Sequence, residues 1–87
     1  MSEDTLLEFP CEFPIKIMGE AQDDFAQRMV AIVRHHVPDY DAATVEMRPS
    51  KTGRYLSLTC TIHAVAREQL DSLYRELSSH PQVKIVL

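Results

Sequence analysis

Glycine is scarce in this chain: Gly19 and Gly53 are the only two. That excludes a glycine-rich dinucleotide fingerprint, which needs three glycines in a single strand–turn–helix unit. Cysteine is equally scarce. Cys11 and Cys60 lie far apart and form no CxxC pair, so they outline neither a zinc site nor a disulfide framework. Two reduced thiols are the expectation. No apolar run approaches the length of a membrane-spanning helix, and the opening residues, MSEDTLLEF, are acidic where a secretory signal is basic. A cytoplasmic protein with no membrane role is expected. Positive charge is in the minority as well. The net charge of −4 repels polyphosphate partners at long range, and no run of basic residues offsets it. General nucleic-acid binding is left as a remote alternative.

What is present is an ordinary globular composition, 45% hydrophobic and 25% charged, in 87 residues that hold one core and no more. Residues 1–11 carry no periodicity and read as an N-terminal extension, anchored by Leu6, Leu7 and Phe9; residues 12–87 read as one domain. From Phe13 the apolar residues alternate through Ile15 and Ile17, the period of a strand, which Gly19 ends. Phe25, Met29, Ile32 and Val33 then recur at three- and four-residue spacing. That predicts an amphipathic helix, with Asp23 and Asp24 at its start, Arg34 near its end and Pro38 stopping it. Thr44–Pro49 alternates again. Tyr55–Ala64 alternates most cleanly, with Leu56, Leu58, Cys60, Ile62 and Ala64 on one face and Tyr55, Ser57, Thr59, Thr61 and His63 on the other. Leu70, Leu73, Tyr74 and Leu77 return to helical spacing. Val83, Ile85 and Leu87 alternate to the end and place Lys84 and Val86 on the opposite face.

The order β-α-β-β-α-β predicts an α+β fold, the ferredoxin-like sandwich. Its four-stranded antiparallel sheet, in strand order 4-1-3-2, carries both helices on one face. The other face, with Lys16, Met18, Glu46, Arg48, Ser57, Thr59, Thr61, His63, Lys84 and Val86, is left to water or to a partner.

The stretch PSKTGRYL (residues 49–56) is where a phosphate site would be sought. A P-loop has a glycine ahead of its Gly-Lys pair and a helix after it. Here no glycine precedes Lys51 and a strand follows, so the stretch reads as a hairpin turn with Gly53 at positive φ. Lys51 and Arg54 remain as exposed cations that could steer an anion.

Other constellations carry no site. His35 and His36 are adjacent on a helix and point about 100° apart, unlike an i, i+4 metal pair, so a role at the helix C-terminus fits them better. His63 has the chemistry of a general base but no carboxylate neighbour in its own strand and no visible nucleophile. Asp39 and Asp41 lack the remaining ligands of a calcium loop. The sheet also lacks the aromatic platform on which RNA-recognition motifs stack bases.

Three segments together, LLEFPCEFPIKIMG (residues 6–19), PSKTGRYLSLTCTI (49–62) and LYRELSSHPQVKIVL (73–87), resemble the YbeD-like family of small bacterial proteins of unknown function. The resemblance covers nearly the whole chain. It implies a fold similar to the ACT regulatory domains, which bind small metabolites and control enzymes, and it brings no catalytic residue, metal or cofactor. An ACT-like ligand site would lie at the first strand–helix connection, Met18-Gly19-Glu20-Ala21, where the sequence shows no carboxylate- or amine-binding pair. The expected function is therefore a non-catalytic regulatory domain that binds a protein partner or a small metabolite. The alternative is a structural interaction module using the open sheet face, and an enzyme using His63 is more remote. Met18, Gly19, Lys51, Arg54, Thr59, Thr61 and His63 are the candidate contact residues. The edge strands carry Glu46, Arg48 and Pro49 on one side but only Lys84 on the other, which predicts a monomer or a weak homodimer that pairs the final strands or uses part of the open face.

Overall fold

The computed structural model describes residues 8–87. Its elements follow the expected order: β1 (Cys11–Glu20), α1 (Phe25–His36), β2 (Glu46–Pro49), β3 (Tyr55–Ala64), α2 (Arg67–Ser79) and β4 (Val83–Val86). The strands form one antiparallel sheet in the order β2-β3-β1-β4. This is the ferredoxin-like α+β sandwich. Leu6 and Leu7 lie outside the described residues, whereas Phe9 is half-buried against the core.

Alternation decides which residues meet the helices. Ile15 and Ile17 of β1 and Leu58, Cys60, Ile62 and Ala64 of β3 are fully enclosed, and Thr61 and His63 are exposed. Ser57 and Thr59, expected in water, are half-covered by neighbouring strands. Against the inner face, α1 sets Phe25, Met29 and Val33, and α2 sets Leu70, Leu73 and Leu77. Each of these side chains is buried at three- or four-residue spacing, which gives each helix a single apolar stripe. Burying a side chain of this size contributes about 1.5–3 kcal/mol.

Four local features depart from the sequence pattern. First, β1 begins at Cys11 rather than Phe13 and runs through Gly19 to Glu20. Gly19 is not an exit turn. It is buried within the strand, and a Cβ there would stand 2.5 Å from the Phe25 ring and 2.2 Å from the carbonyl oxygen of Gln82. Second, Ala42–Thr44 forms a 3₁₀ turn, so β2 starts only at Glu46. Asp41 caps that turn by accepting the Ala43 N–H at 3.0 Å. Third, no side chain caps α2 from Ala66. Instead Gln69 reaches back past the cap position, its Oε1 accepting the Val65 N–H at 2.8 Å. Its Nε2 donates to the His36 carbonyl at 3.2 Å, so one side chain serves the end of α1 and the start of α2.

The fourth departure inverts a face. Ile17 pairs with Val86 and Met18 with Ile85, but Gly19 pairs with Val83, so the ladder shifts between Met18 and Gly19. One extra residue in β4 breaks the period-two alternation. Val83 and Val86 therefore turn inward and pack on the core, while Ile85 turns out with 49% of its surface exposed. The expected placement of Val86 on the open face is wrong for this reason.

The hairpin at residues 49–56 is a turn, as its sequence requires. Gly53 has φ +76°, the only positive φ among the described residues. The Ser50 hydroxyl accepts the Tyr55 N–H at 3.1 Å, and the Thr52 hydroxyl accepts that of Arg54 at 3.3 Å. The Ser50 and Thr52 hydroxyls of this loop are taken up by its own backbone.

Candidate functional site

Pairing across the sheet sorts the candidate residues into separate places. Met18 faces outward opposite Ser57, and Lys16 faces outward opposite Thr59. Arg48 joins them from β2, where it pairs with Ser57. Lys51 and Arg54 stand in the hairpin beyond this end of the face. Thr61 and His63 occupy the opposite end, level with Pro14 and Glu12. Gly19 is buried and can touch no ligand with a side chain.

At the far end, His63 is not isolated. Antiparallel pairing places Glu12 directly across from it, with Nδ1 and Oε2 3.1 Å apart. Thr61, Tyr40, Asp39 and Asp41 complete a cleft of about 190 Å³. A carboxylate can orient an imidazole, yet both groups here are largely in water, where such a pair is weak. Burial raises the pKa of the Tyr40 hydroxyl and of the Cys60 thiol beneath the cleft, so neither is a ready base or nucleophile. Among the described residues, no three metal-ligating side chains come together.

A second cleft lies at the first strand–helix connection. It holds about 270 Å³ and is lined by Glu20, Gln22, Pro81, Gln82 and Lys84. The Lys84 ammonium lies 4.0 Å from the Glu20 carboxylate, so the pair of opposite charges missing from the local sequence is supplied by β4. The Gln82 amide donates to Gln22 Oε1 at 3.0 Å and to Asp24 Oδ1 at 3.3 Å. Asp24 also accepts from Arg28 Nε at 2.5 Å. These bonds, that of Arg28 first and that of Gln82 next, hold the Asp24 carboxyl below the usual carboxylate range. The cleft therefore offers an anion, a cation and two amides on a braced floor.

Glu12 and Gln82, which sequence reasoning missed, have no signal of their own, and Lys84, expected on the open face, gave no sign of a place in this cleft. Each acquires meaning only from a partner on a strand or turn far away in the chain.

Known proteins bear on this geometry. A UPF0250 protein of Nitrosomonas europaea is 54% identical over 87 residues, covering 100% of both chains. One of Bordetella pertussis is 55% identical over 85 residues, 98% of this chain and 93% of its own. Among solved structures, a protein from H. pylori matches with a TM-score of 0.75 at 13% identity, across 100% of this chain and 94% of that one. The ACT domain from GTP pyrophosphokinase of Chlorobium tepidum matches with a TM-score of 0.66 at 17% identity, over 87% of this chain and 84% of that one. Identities this low speak for the fold alone. The family described as "Protein of unknown function (DUF493)" matches residues 4–87, and together with the UPF0250 relatives it places the chain: the protein belongs to this YbeD-like family.

Proposed function

We propose that the protein is a non-catalytic regulatory domain that binds a small charged metabolite at the strand–helix cleft and a protein partner on its open sheet face. The Glu20–Lys84 pair in the cleft carries the reading. Opposite charges a few ångströms apart, flanked by the Gln22 and Gln82 amides, suit a zwitterion of amino-acid size, whose ammonium and carboxylate would exchange with the internal pair. The ACT-like fold supports the reading by analogy, since the C. tepidum neighbour is a domain of a larger enzyme. The His63–Glu12 pair is exposed and weakly held, and it carries no argument for catalysis.

Titration calorimetry against a panel of amino acids tests the metabolite half. Heat with at least one of them is expected, weakened at least about tenfold by Lys84→Ala, the loss of a charge-assisted contact. A panel without heat removes the cleft from consideration. A specific observation favours the structural-module alternative: Met18 and Ile85, paired across β1 and β4, leave an apolar strip on a face that no part of the described chain covers.

A further inference from the structure

We infer that the hairpin end of the open face is a docking groove for an acidic protein segment bearing an apolar anchor side chain. The inference rests on the open face being the partner surface and names the chemistry of that partner. Met18, Pro49, Tyr55 and Leu56 line a mainly apolar groove of about 270 Å³, with Ser50 and Ser57 at its sides. A second groove of the same size continues from it through Arg48 and Ser57 to Lys16 and Thr59. Two cations, Lys16 and Arg48, line the grooves, and two more, Lys51 and Arg54, stand in the adjoining hairpin. None of them makes an ion pair among the described residues. The Arg54 guanidinium lies over the Tyr55 ring, 5.7 Å from its centroid.

Charge complementarity identifies the occupant. The chain as a whole is acidic at −4, yet strand pairing sets Lys16 and Arg48 on the same half of the open face, next to the hairpin that carries Lys51 and Arg54. Among the described residues, Glu46 shares the second groove, and Glu20, paired with Tyr55 across the ladder, already faces Lys84. The opposite end, with Glu12, Asp39 and Asp41, is acidic. A partner with carboxylates around an apolar side chain would be steered to the hairpin end and repelled from the other. An apolar pocket with a cationic rim suits such a segment. Nucleic acid fits less well. Tyr55 is the groove's one aromatic ring, Arg54 already covers it, and the rest of the floor is aliphatic.

The test uses the full chain and a fluorescent octapeptide of glutamates around two leucines. Its controls are the same peptide with lysines for glutamates, the same with serines for leucines, and a single-stranded RNA octamer. Anisotropy should rise with the acidic apolar peptide alone. Arg48→Glu and Met18→Asp, both changes at exposed positions, should each weaken that binding at least about tenfold. Amide shift changes should centre on Met18, Tyr55 and Ser57. Equal binding of the charge-reversed or serine peptide would overturn the inference, as would tighter binding of the RNA or an unaltered affinity in Arg48→Glu. If the peptide moves no amide but unlabelled lysate shifts the open face of the ¹⁵N-labelled protein, the inference fails while the reading beneath it stands. If neither moves that face, both fail.

Discussion

Leu58 and Cys60 share the inner face of β3, and both are fully enclosed by α1, α2 and β1. Truncating Leu58 to Ala removes its contacts and leaves a cavity that a close-packed core fills poorly. The expected loss is about 2–4 kcal/mol, a large share of the stability of a domain this small, and chemical denaturation measures it. An unchanged denaturation midpoint would mean that the strand does not face inward. Cys60 behaves as a small hydrophobe whose burial raises its thiol pKa, so its thiolate fraction at neutral pH is low. Cys11, at the start of β1, is only half-buried. A thiol reagent should therefore modify the native protein at Cys11 first and at Cys60 slowly. Equal rates at the two would contradict the enclosed position of β3.

At the scale of elements, Gly19 shows how an interior glycine differs from a turn glycine. Gly53 has open space around it and is needed for its positive φ, whereas Gly19 is needed for the room that Phe25 and the Gln82 carbonyl occupy. Gly19→Ala forces a backbone oxygen or an enclosed ring to move. A destabilisation of about 1–3 kcal/mol is expected, read as a lower midpoint with an unchanged slope. A neutral outcome would show that β1 and the α2–β4 turn can separate at no cost. The helix ends are tied in a similar way. Gln69 bonds to both helices, and His36 Nε2 meets Glu76 Oε1 at 2.7 Å, so the C-terminal turn of α1 is fastened to α2 by two side chains. The pattern of Gln69 and Glu76 in the sequence does not reveal this, because their partners belong to another helix.

For the whole molecule, the free edge of β4 decides self-association. Among the described residues no strand lies beyond this edge, so its outer backbone groups have no ladder partner, and Lys84 is the one cation of β4. Because the ladder shift turns Ile85 outward beside Met18, Ile85 rather than Val86 is the residue to alter. A monomer in weak exchange with a dimer is expected in sedimentation at rising concentration, and Ile85→Lys should abolish the dimer without unfolding the chain. A tight dimer that survives this change would place the contact on another surface. Val86→Lys would confuse the result by burying a charge against the core.

The alternation of β1 and β3, the two apolar helix stripes and the glycine at the hairpin determined the fold, because each depends on side chains a few residues apart along one element. The open face was legible by the same period-two argument, down to Met18, Thr59, Thr61 and His63. Tertiary structure decided the rest. It set Glu12 opposite His63, Lys84 beside Glu20, and Arg48 in line with Met18 and Ser57, because the register between strands distant in sequence depends on how the whole sheet closes over its core. It also reversed Val86 and Ile85, since a single extra residue in β4 flips every side chain beyond it, and no local pattern announces where a ladder will shift.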